Sequence, residues 1–349
     1  MKKKTTIIDI ARDLGISKTT ISFVLNGKAR EKGISQNQEI KILTYIEKIG
    51  YKPNVFAQSL RTGKTKTIGM MVEDISDPFF SSIARSMEEI AYKRGYKILY
   101  SSTENDTQKA KDLIQLYRNR QVDGYIIAPP PGIEHDIKVL LEDKFAVVVF
   151  DRTLPGIEVD NVLVNNYQSS YQATKHLIEN GYLNIAMVTL DSDQSQMMDR
   201  QLGYEKALDE CDRPGRVMKI IYRDNDVDNI KEIQEFLNSN TEIDAVFFAT
   251  NYIADNGLEA IRNLKLGIPQ NIGVVVFDDD RLFRLFSPSI TAIVQPIKEI
   301  AEQVIKLMLI LLSNPASKKP VRSILLPTVL KVRESTLRNQ EKETRHTLK

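Results

Sequence analysis

Five polar residues that come after apolar segments of the chain could together bind a small molecule rich in hydroxyl groups. They are Asp74, Asp151, Arg200, Asn251 and Asp278. A carboxylate accepts hydrogen bonds, an amide donates and accepts them, and a guanidinium donates several in a fixed fork. For any one of these residues, a role in capping a helix or a turn is the more ordinary explanation. The expectation of a site therefore rests on their occurrence at several predicted strand ends.

Two aromatic residues, Phe79 and Phe80, follow the same apolar segment as Asp74. A phenylalanine ring can stack on the apolar face of a sugar ring or on a base. Packing in the core is the alternative role. We expect one of the two rings to pack in the core and the other to form an aromatic wall of the site.

The chain carries no recognisable pattern of catalytic residues. The sequence contains no GxSxG motif, no P-loop and no GxGxxG motif after a predicted strand. Its three histidines, His135, His176 and His346, are far apart and lack the spacing of metal ligands. We therefore expect no enzymatic activity, no bound metal and no cofactor.

The candidate site residues follow strands that alternate with helices from residue 67 to about residue 330. Short apolar strands that alternate with amphipathic helices indicate parallel sheets covered on both faces. Nine such strands suit two doubly wound lobes, and ligands bind beyond the carboxyl ends of strands in such sheets. The predicted fold class of this part is therefore α/β. The nine predicted strands are residues 68–72, 96–101, 123–128, 145–150, 184–189, 218–222, 244–249, 272–277 and 290–294.

The segment 5–28 has the pattern of a helix-turn-helix. Apolar residues recur at helical spacing before Gly15, which can end a first helix, and Ser17 can cap a second one. An apolar stripe of Ile21, Val24 and Leu25 faces the first helix. In a helix-turn-helix the second helix enters the major groove of DNA. The polar or aromatic residues left on or near its opposite face are Lys18, Thr19, Thr20, Ser22 and Phe23.

A third helix is predicted from a Ser35 cap, with an apolar stripe of Ile40, Leu43, Ile46 and Ile49 that closes a three-helix head. The charge distribution agrees with a nucleic-acid partner. Residues 1–66 contain 14 Lys or Arg and 5 Asp or Glu, which gives a net charge near +9. The remaining residues contain 34 Lys or Arg and 41 Asp or Glu, which gives a net charge near −7. A basic head on an acidic body is typical of a DNA-binding module.

The composition is typical of a soluble globular protein in a reducing compartment. The chain has 349 residues, 42% of them hydrophobic, and one cysteine, Cys211, so it can form no internal disulfide. We expect a cytoplasmic protein, since no secretory signal follows the N-terminal lysines and no apolar run is long enough to span a membrane. The residues after the predicted core, 336–349, are charged and are expected to form a disordered tail.

Motifs along nearly the whole chain resemble the lac repressor and purine repressor family of bacterial transcription regulators. The head carries I-x-D-I-A-x-x-L-G-I-S-x-x-T-I-S-x-V-L-N-G, and G-Y-x-P-N-x-x-A-x-S-L-R-T-G follows it. Shorter matches are K-T-x-T-I-G at 64–69, V-D-G at 122–124, R-x-x-G-Y at 200–204 and F-D-D at 277–279. The resemblance implies a DNA-binding head, a hinge helix and a core similar to periplasmic sugar-binding proteins.

The resemblance also implies roles for residues of the head and hinge. Lys18, Thr19 and Phe23 match positions that face base edges. Ser17, Thr20, Ser22 and Asn26 match positions that contact phosphates or stabilise the helix. Leu60 matches the hinge leucine that two subunits insert into the minor groove at the centre of a palindromic operator.

In the core, Asp151, Arg200, Asn251 and Asp278 match positions that contact the effector in sugar-responsive members. Phe79 or Phe80 matches the aromatic wall, and Asp74 lies at the same strand end. The chain departs from the family at Phe23, where a basic or polar residue is common, and at Tyr252, where an acidic residue is common. The segment 191–198 lacks the basic and threonine residues of purine-responsive relatives, which disfavours a nucleobase.

The resemblance implies a homodimeric transcriptional regulator, expected to be a repressor, which binds a double-stranded DNA operator and a small effector, expected to be a sugar or sugar derivative. A regulator controlled by a protein partner or a non-sugar metabolite is the main alternative. A sugar-binding transport receptor is disfavoured by the basic head. The expected domains are a head at 1–50, a hinge at 51–66 with a helix at about 55–62, and a core at 67–335. Lobe 1 comprises about 67–163 and 295–325, and lobe 2 about 165–293 and 327–335.

Overall fold

The computed structural model describes residues 5–51, 64–221, 226–313 and 320–338. The chain divides into two compact units at the Thr65–Lys66 bond. Most of the predicted hinge, including the expected helix at 55–62, lies outside the described residues. The head and the core are each described below by themselves.

The head consists of three helices whose ends follow the capping signals of the sequence. Thr6 and Asp9 form a capping box at the start of the first helix, and Gly15 ends it with a left-handed backbone at φ 66°. The Ser17 side chain accepts a hydrogen bond from the Thr20 amide at 3.0 Å and so caps the second helix. The helices are α1 (Ile7–Leu14), α2 (Lys18–Leu25) and α3 (Gln36–Lys48).

The predicted apolar stripe of α3 is partly wrong. Ile40 and Leu43 are 54% and 44% exposed, whereas Ile46 of the predicted stripe lies in the head core together with Ile42, which was not predicted. The physical reason lies in the direction from which α1 and α2 pack on α3. Tyr45 donates a hydrogen bond to Asp13 of α1 at 2.8 Å, which places the face containing residues 42, 45, 46 and 49 toward the first two helices.

This difference gives a matched pair of substitutions in one helix. We expect Ile42→Ala to destabilise the head by about 2–5 kcal/mol, because it removes a fully buried side chain and leaves a cavity. Ile40→Ala removes the same atoms from an exposed position and should cost less than about 1 kcal/mol. Amide hydrogen exchange of residues 5–51 in the full chain measures the loss of stability in both variants. Equal protection losses in the two variants would contradict the observed face of α3.

The core contains two six-stranded sheets. In the first sheet the strand order is β11-β5-β4-β3-β1-β2, and every adjacent pair is parallel. Its strands are β1 (Thr67–Val72), β2 (Lys97–Ser102), β3 (Gly124–Ile127), β4 (Ala146–Phe150), β5 (Asp160–Val164) and β11 (Ser323–Leu326).

The second sheet has the corresponding order β12-β10-β9-β8-β6-β7, and it is parallel except for the antiparallel edge pair β10–β12. The chain passes from one sheet to the other beyond Val164, Val294 and Leu326. The strands are β6 (Ile185–Leu190), β7 (Arg216–Ile220), β8 (Ala245–Phe248), β9 (Gly273–Phe277), β10 (Thr291–Val294) and β12 (Val329–Lys331).

Helices cover both faces of each sheet, and two apolar clusters per sheet form between them. Parallel strands buried on both faces carry nearly continuous apolar sequence, as β4 and β9 do with AVVVF and GVVVF. A short 3₁₀ helix follows β12 at Glu334–Thr336. The core helices are α4 (Pro78–Lys93), α5 (Thr107–Asn119), α6 (Glu134–Glu142), α7 (Asn166–Glu179), α8 (Ser195–Asp209), α9 (Asp226–Ser239), α10 (Asn251–Asn263), α11 (Arg281–Leu285) and α12 (Ile297–Ser313).

The predicted fold class is confirmed, since the described core is α/β with two largely parallel lobes. All nine predicted strands exist, but β7 begins two residues earlier than expected, and β5, β11 and β12 were not predicted. Strands β7, β11 and β12 are at sheet edges, where only some positions are shielded from water. Such strands lack the continuous apolar run that marks the central strands.

The predicted tail begins too early. Thr336 is fully buried, and its hydroxyl lies 2.8 Å from Nε2 of His176. Arg338 stacks on the Tyr182 ring at 4.1 Å and donates a hydrogen bond to Asp244 at 3.1 Å. These residues stay with the core because each finds a partner on the second lobe. Residues 339–349 of the predicted tail lie outside the described part of the chain.

Helices α7 and α8 approach closely at Gly203. A Cβ atom at this position would lie 2.2 Å from the Tyr167 carbonyl oxygen of α7. Because glycine has no side chain, the two backbones can pack directly against each other. Arg200 is one turn earlier on α8, so this close packing also sets the position of its side chain.

We expect Gly203→Ala to destabilise the core by about 1–3 kcal/mol, because the added methyl group must push the two helices apart. Gly215→Ala is the matched control, since the nearest atom to its added Cβ would lie at an ordinary 3.5 Å. Urea unfolding of the full chain measures both changes. A core as stable with Gly203→Ala as with Gly215→Ala would show that the helices can separate without cost.

Candidate functional site

A cavity of about 420 Å³ lies between the two lobes, at the carboxyl ends of their strands. Its lining includes all seven residues that the sequence suggested for ligand binding. These are Asp74, Phe79, Phe80, Asp151, Arg200, Asn251 and Asp278. The parallel sheets explain why residues so distant in sequence meet here. In each sheet the strands end at one edge, and that edge of both sheets borders the cavity. The roles of these residues in binding remain a prediction.

Arg200 is the most deeply buried charged group of the cavity, with an exposed fraction of 2%. Its Nε donates to the Asn166 side chain at 2.9 Å and its Nη1 donates to the Ala249 carbonyl at 2.6 Å. The guanidinium stacks on the Phe277 ring at 3.5 Å and lies 3.7 Å from Oδ2 of Asp278. Burial lowers the pKa of Arg200, against the opposing effect of the Asp278 and Asp151 carboxylates.

Asp278 and Asp151 occupy corresponding positions in the two lobes. Asp278 follows β9 and Asp151 follows β4, which are the corresponding strands of the two sheets. Both residues have a left-handed backbone, with φ 76° for Asp278 and 70° for Asp151. Their amides donate to Ile293 and Val162 on the neighbouring strands. Left-handed residues other than glycine are uncommon and concentrate at functional sites, and aspartate tolerates this conformation better than most residues.

The pKa of Asp278 is raised to about 6, mainly because the carboxyl group is buried. Arg200 and a 2.6 Å hydrogen bond from Gln295 oppose this shift, and the Asp77 and Asp151 carboxylates add to it. A raised carboxyl pKa means that the folded protein holds this proton more tightly than the unfolded chain does. The contribution of Asp278 to stability is therefore greatest at low pH, and it falls as the pH rises from about 4 through about 6.

We expect this dependence to show in the difference between wild-type protein and Asp278→Asn. The wild-type free energy of unfolding, relative to the variant, should fall by about 2–3 kcal/mol between pH 4 and pH 7, since one pKa unit corresponds to about 1.4 kcal/mol. Urea unfolding at several pH values measures the two profiles. Asp228→Asn, an exposed carboxylate on α9, is the control and should leave the profile unchanged. Parallel profiles for wild type and Asp278→Asn would contradict the assignment.

Arg152 organises the wall of the first lobe. Its guanidinium donates to Glu73 at 2.8 Å, to Asp151 at 2.9 Å and to Asn105 at 3.0 Å, with an exposed fraction of 3%. Burial disfavours the charge of Arg152, but the Asp151 and Glu73 carboxylates outweigh this effect and raise its pKa. The Asp151 carboxylate is thereby held toward the cavity.

In the described part of the chain, hydrogen bonds join the lobes around the cavity at three places. Asn251 donates from Nδ2 to Asp77 at 2.8 Å, and Asp77 also caps α4 of the first lobe. Gln194 donates to Asn105 at 3.0 Å. The Thr153 amide donates to the Ser195 hydroxyl at 3.0 Å. Because these groups are on opposite lobes, lobe opening would break all three bonds.

The two phenylalanines have different surroundings, as the sequence suggested. Phe80 is 5% exposed and packs in the core of the first lobe, in an edge-to-face contact with Phe150 at 6.4 Å. Phe79 is half-buried and lies 5.0 Å from the Phe80 ring. Phe79 is therefore the ring that can form an aromatic wall, with Phe80 behind it.

Several residues of the lining were not identified as site residues from the sequence. Gln196 and Asn229 are 2% and 5% exposed, and Asp226 and Asp255 also line the cavity. All four belong to the first two turns of the helices that follow strands β6, β7 and β8. The strand-end rule could have found them if it had included the first two helical turns after each strand, because parallel sheets direct these turns toward the same cavity.

The recognition helix α2 presents the predicted DNA-binding residues on its outer side. Lys18 and Thr19 are exposed, and the Phe23 ring is half-buried with Nζ of Lys32 at 5.7 Å from its centroid. The predicted helix-stabilising residues form local hydrogen bonds, Ser17 with Thr20 and Asn26 with Ser22. Leu60, predicted to enter the minor groove, lies outside the described residues.

Two further properties of the described residues bear on other functions. No group of three or more His, Cys, Asp or Glu side chains in that part of the chain could hold a metal ion. None of the helices found there is long and apolar enough to cross a membrane.

Comparison with known proteins identifies both parts of the chain. Residues 6–54 match the family described as bacterial regulatory proteins, lacI family. Residues 174–336 match the periplasmic binding protein-like domain. The HTH-type transcriptional regulator DegA of Bacillus subtilis (strain 168) is 30% identical over 338 residues, which cover 95% of this chain and 98% of DegA.

Solved structures are similar in fold. The lac repressor dimer bound to operator and an anti-inducer matches 96% of this chain and all of that chain, with a TM-score of 0.83 and 21% identity. A LacI family regulator from Enterococcus faecium with bound ribose matches 77% of this chain and 98% of that chain, with a TM-score of 0.68 and 24% identity.

These matches and the structure define a helix-turn-helix regulator with a core like the periplasmic binding proteins. The chain belongs to the lacI family of bacterial regulatory proteins, as its motifs predicted. It is thus a DNA-binding transcriptional regulator and not an enzyme, because the proteins of this family act by controlling transcription.

Proposed function

We propose that the protein is a transcriptional repressor that binds a palindromic operator as a homodimer and is controlled by a small hydroxyl-rich effector, a sugar or sugar derivative. The observation that carries the proposal is the cavity between the lobes, where buried carboxylates, amides and a guanidinium converge beside Phe79. We further propose that the protein consists of a head at 1–50, a hinge at 51–66 and an effector-binding core at 67–335. We expect it to act in the cytoplasm.

The DNA-binding part of the proposal is supported by the helix-turn-helix and its charge. Lys18 and Thr19 are exposed at the N-terminal end of α2, the end of a recognition helix that contacts base edges. The half-buried ring of Phe23 can contact a thymine methyl group. A homodimer and a palindromic operator are supported by the lac repressor structure, which is a dimer bound to operator.

The effector part is supported by the chemistry of the cavity. A volume of about 420 Å³ suits a molecule of the size of a sugar. Asp151 and Asp278 supply acceptors from opposite lobes, and Phe79 supplies an apolar surface. The regulator from E. faecium holds ribose, which supports a sugar as the class of ligand.

The lobes provide a means of coupling the effector to DNA binding. An effector that contacts both lobes stabilises the closed arrangement, in which the bonds Asp77–Asn251 and Asn105–Gln194 are formed. It shifts the equilibrium only by its difference in affinity for the closed and open arrangements. We propose that closure changes the geometry of the hinge in the dimer and thereby the affinity for the operator.

Selection of binding sites from random DNA tests the DNA-binding proposal. We expect palindromic sites to be enriched, and the affinity for them to fall steeply with salt, since phosphate contacts release counterions. Thr19→Ala should reduce discrimination between specific and random DNA, whereas Leu60→Ala should weaken specific binding far more than non-specific binding. Enrichment of single half-sites, or an equal loss of both kinds of binding in Leu60→Ala, would contradict the dimeric minor-groove arrangement.

A thermal-shift screen tests the effector proposal. The panel contains neutral sugars, amino sugars, sugar phosphates and nucleobases. A ligand at about 100 times its Kd should stabilise the core by roughly 2.7 kcal/mol, a shift of several degrees. Asp278→Ala should abolish the shift and leave DNA binding intact, and Asp228→Ala is the exposed control. A ligand response that survives Asp278→Ala would show that the effector binds elsewhere.

A regulator controlled mainly by a protein partner or a non-sugar metabolite is the second candidate. Selective binding of a nucleobase, or no shift with any compound of the panel, would favour it. The transport-receptor alternative is not retained, because the chain belongs to a family of regulatory proteins.

A further inference from the structure

The cavity between the lobes carries many more acidic than basic groups. Its lining includes two arginines, Arg152 and Arg200, and seven carboxylates. The carboxylates are those of Glu73, Asp74, Asp77, Asp151, Asp226, Asp255 and Asp278. A neutral sugar needs acceptors, but it does not need this excess of negative charge.

Both arginines are already engaged with protein groups. Arg152 is bonded to Glu73 and Asp151, and Arg200 is bonded to Asn166 and the Ala249 carbonyl beside Asp278. The positive charges of both arginines are therefore already balanced by protein carboxylates, Glu73 and Asp151 for Arg152 and Asp278 for Arg200. The remaining carboxylates of the lining have no salt bridge within the described residues.

Two of these carboxylates, Asp226 and Asp77, lie close enough to Asp255 for their charges to act on it. The pKa of Asp255 is raised to about 7 by burial and by the charges of Asp280, Asp226 and Asp77. Asp77 belongs to the first lobe, whereas Asp226 begins α9 and Asp255 lies in the second turn of α10, both in the second lobe. The repulsion among them would be relieved by a positive charge placed between the lobes.

An independent observation is the presence of unpartnered hydrogen-bond acceptors on two other side chains of the lining. Oδ1 of Asn229 and Oε1 of Gln196 are buried and have no hydrogen-bond partner in the described structure. The two side chains are 5% and 2% exposed, and both line the cavity. Asn229 is one turn after Asp226 on α9 and adds an acceptor to the same wall. A buried acceptor left without a donor costs about 1–3 kcal/mol in general, so a ligand that donates hydrogen bonds here gains affinity.

We propose that the effector is a small cationic molecule, a primary amine on a hydroxyl-rich frame such as an amino sugar, with its ammonium group between Asp77, Asp226 and Asp255. This proposal rests on the proposed function, because it specifies the ligand of the same cavity. The hydroxyl groups face Asp151, Asp278 and Phe79. An ammonium group donates three hydrogen bonds and accepts none, which matches a wall made of acceptors.

The same charges disfavour phosphorylated sugars. A phosphate group in the cavity would lie beside carboxylates of both lobes, and the repulsion between these negative charges disfavours binding. The exposed arginines Arg281 and Arg284 lie in an adjoining cavity, beyond Asn251 and Asp278. A sugar phosphate would have to extend into that cavity to reach a cation.

Matched ligands test the proposal on the full-length protein. Glucosamine, galactosamine and mannosamine are each compared with the parent sugar, the N-acetyl derivative and the 6-phosphate by thermal shift and calorimetry at pH 7.5. We expect at least one amino sugar to bind about tenfold to a hundredfold more tightly than its parent, the range of one charge-assisted hydrogen bond. The N-acetyl derivative keeps the frame and removes the charge, so it should bind no more tightly than the parent.

Matched variants of the protein test where the ammonium group of the ligand binds. Asp226→Asn and Asp255→Asn should each reduce the preference for the amino sugar over the parent by about tenfold, and should change the affinity for the parent sugar little. Asp228→Asn is the control on the same helix, because Asp228 is exposed and does not line the cavity. The variants should fold, since each substitution removes a repulsive charge and keeps the shape of the side chain.

The outcomes separate this proposal from the proposed function. Tighter binding of a parent sugar or a 6-phosphate than of its amine would overturn the cationic effector and leave a sugar-responsive regulator in place. An amine preference that is unchanged in Asp226→Asn and Asp255→Asn would overturn the placement of the ammonium group. No binding of any compound in the four groups would contradict both this proposal and a sugar-type effector.

Discussion

The arrangement of the cavity depends on the burial of one positive charge, the guanidinium of Arg200. A buried charge is costly unless carboxylates and hydrogen-bond acceptors surround it. Here the acceptors come from three separate elements: Asn166 at the start of α7, the Ala249 carbonyl after β8 and Asp278 after β9. Because all three must reach one side chain, the ends of these elements are held in place. The glycine at 203 lets α8 approach α7 closely enough to make this possible.

The two lobes repeat one construction with different details. Their sheets have the same strand order, and each places an aspartate with a left-handed backbone after the corresponding strand. Asp151 is oriented by the neighbouring Arg152, whereas Asp278 is oriented by Arg200 and Gln295. A ligand between the lobes thus meets acceptors from both sides, and closure of the lobes and recognition of the ligand depend on the same groups. We propose that these shared groups couple an effector to the DNA-binding head.

Charge and hydrogen-bonding capacity narrow the class of ligand more than the shape of the cavity does. A volume of about 420 Å³ would accept many metabolites. The free acceptors of Gln196 and Asn229, together with the carboxylates of Asp226 and Asp255, favour a ligand that donates hydrogen bonds, as we propose. Lys18, Thr19 and Phe23, the predicted base-contacting residues, would limit DNA recognition in the same manner, since a recognition helix distinguishes bases through the few side chains that reach them.

The sequence by itself determined the helix-turn-helix, the α/β class and the grouping of Asp151, Arg200, Asn251 and Asp278. Caps such as Ser17 and continuous apolar strands are local signals, and the carboxyl ends of parallel strands meet by a general rule. It did not determine which face of α3 is buried, since Ile40 and Ile42 are equally apolar and only the packing of α1 distinguishes them. It also missed strands β5, β11 and β12 and the acceptors on Gln196 and Asn229. Only the tertiary structure decided these features, because burial and hydrogen-bond partners depend on distant parts of the chain.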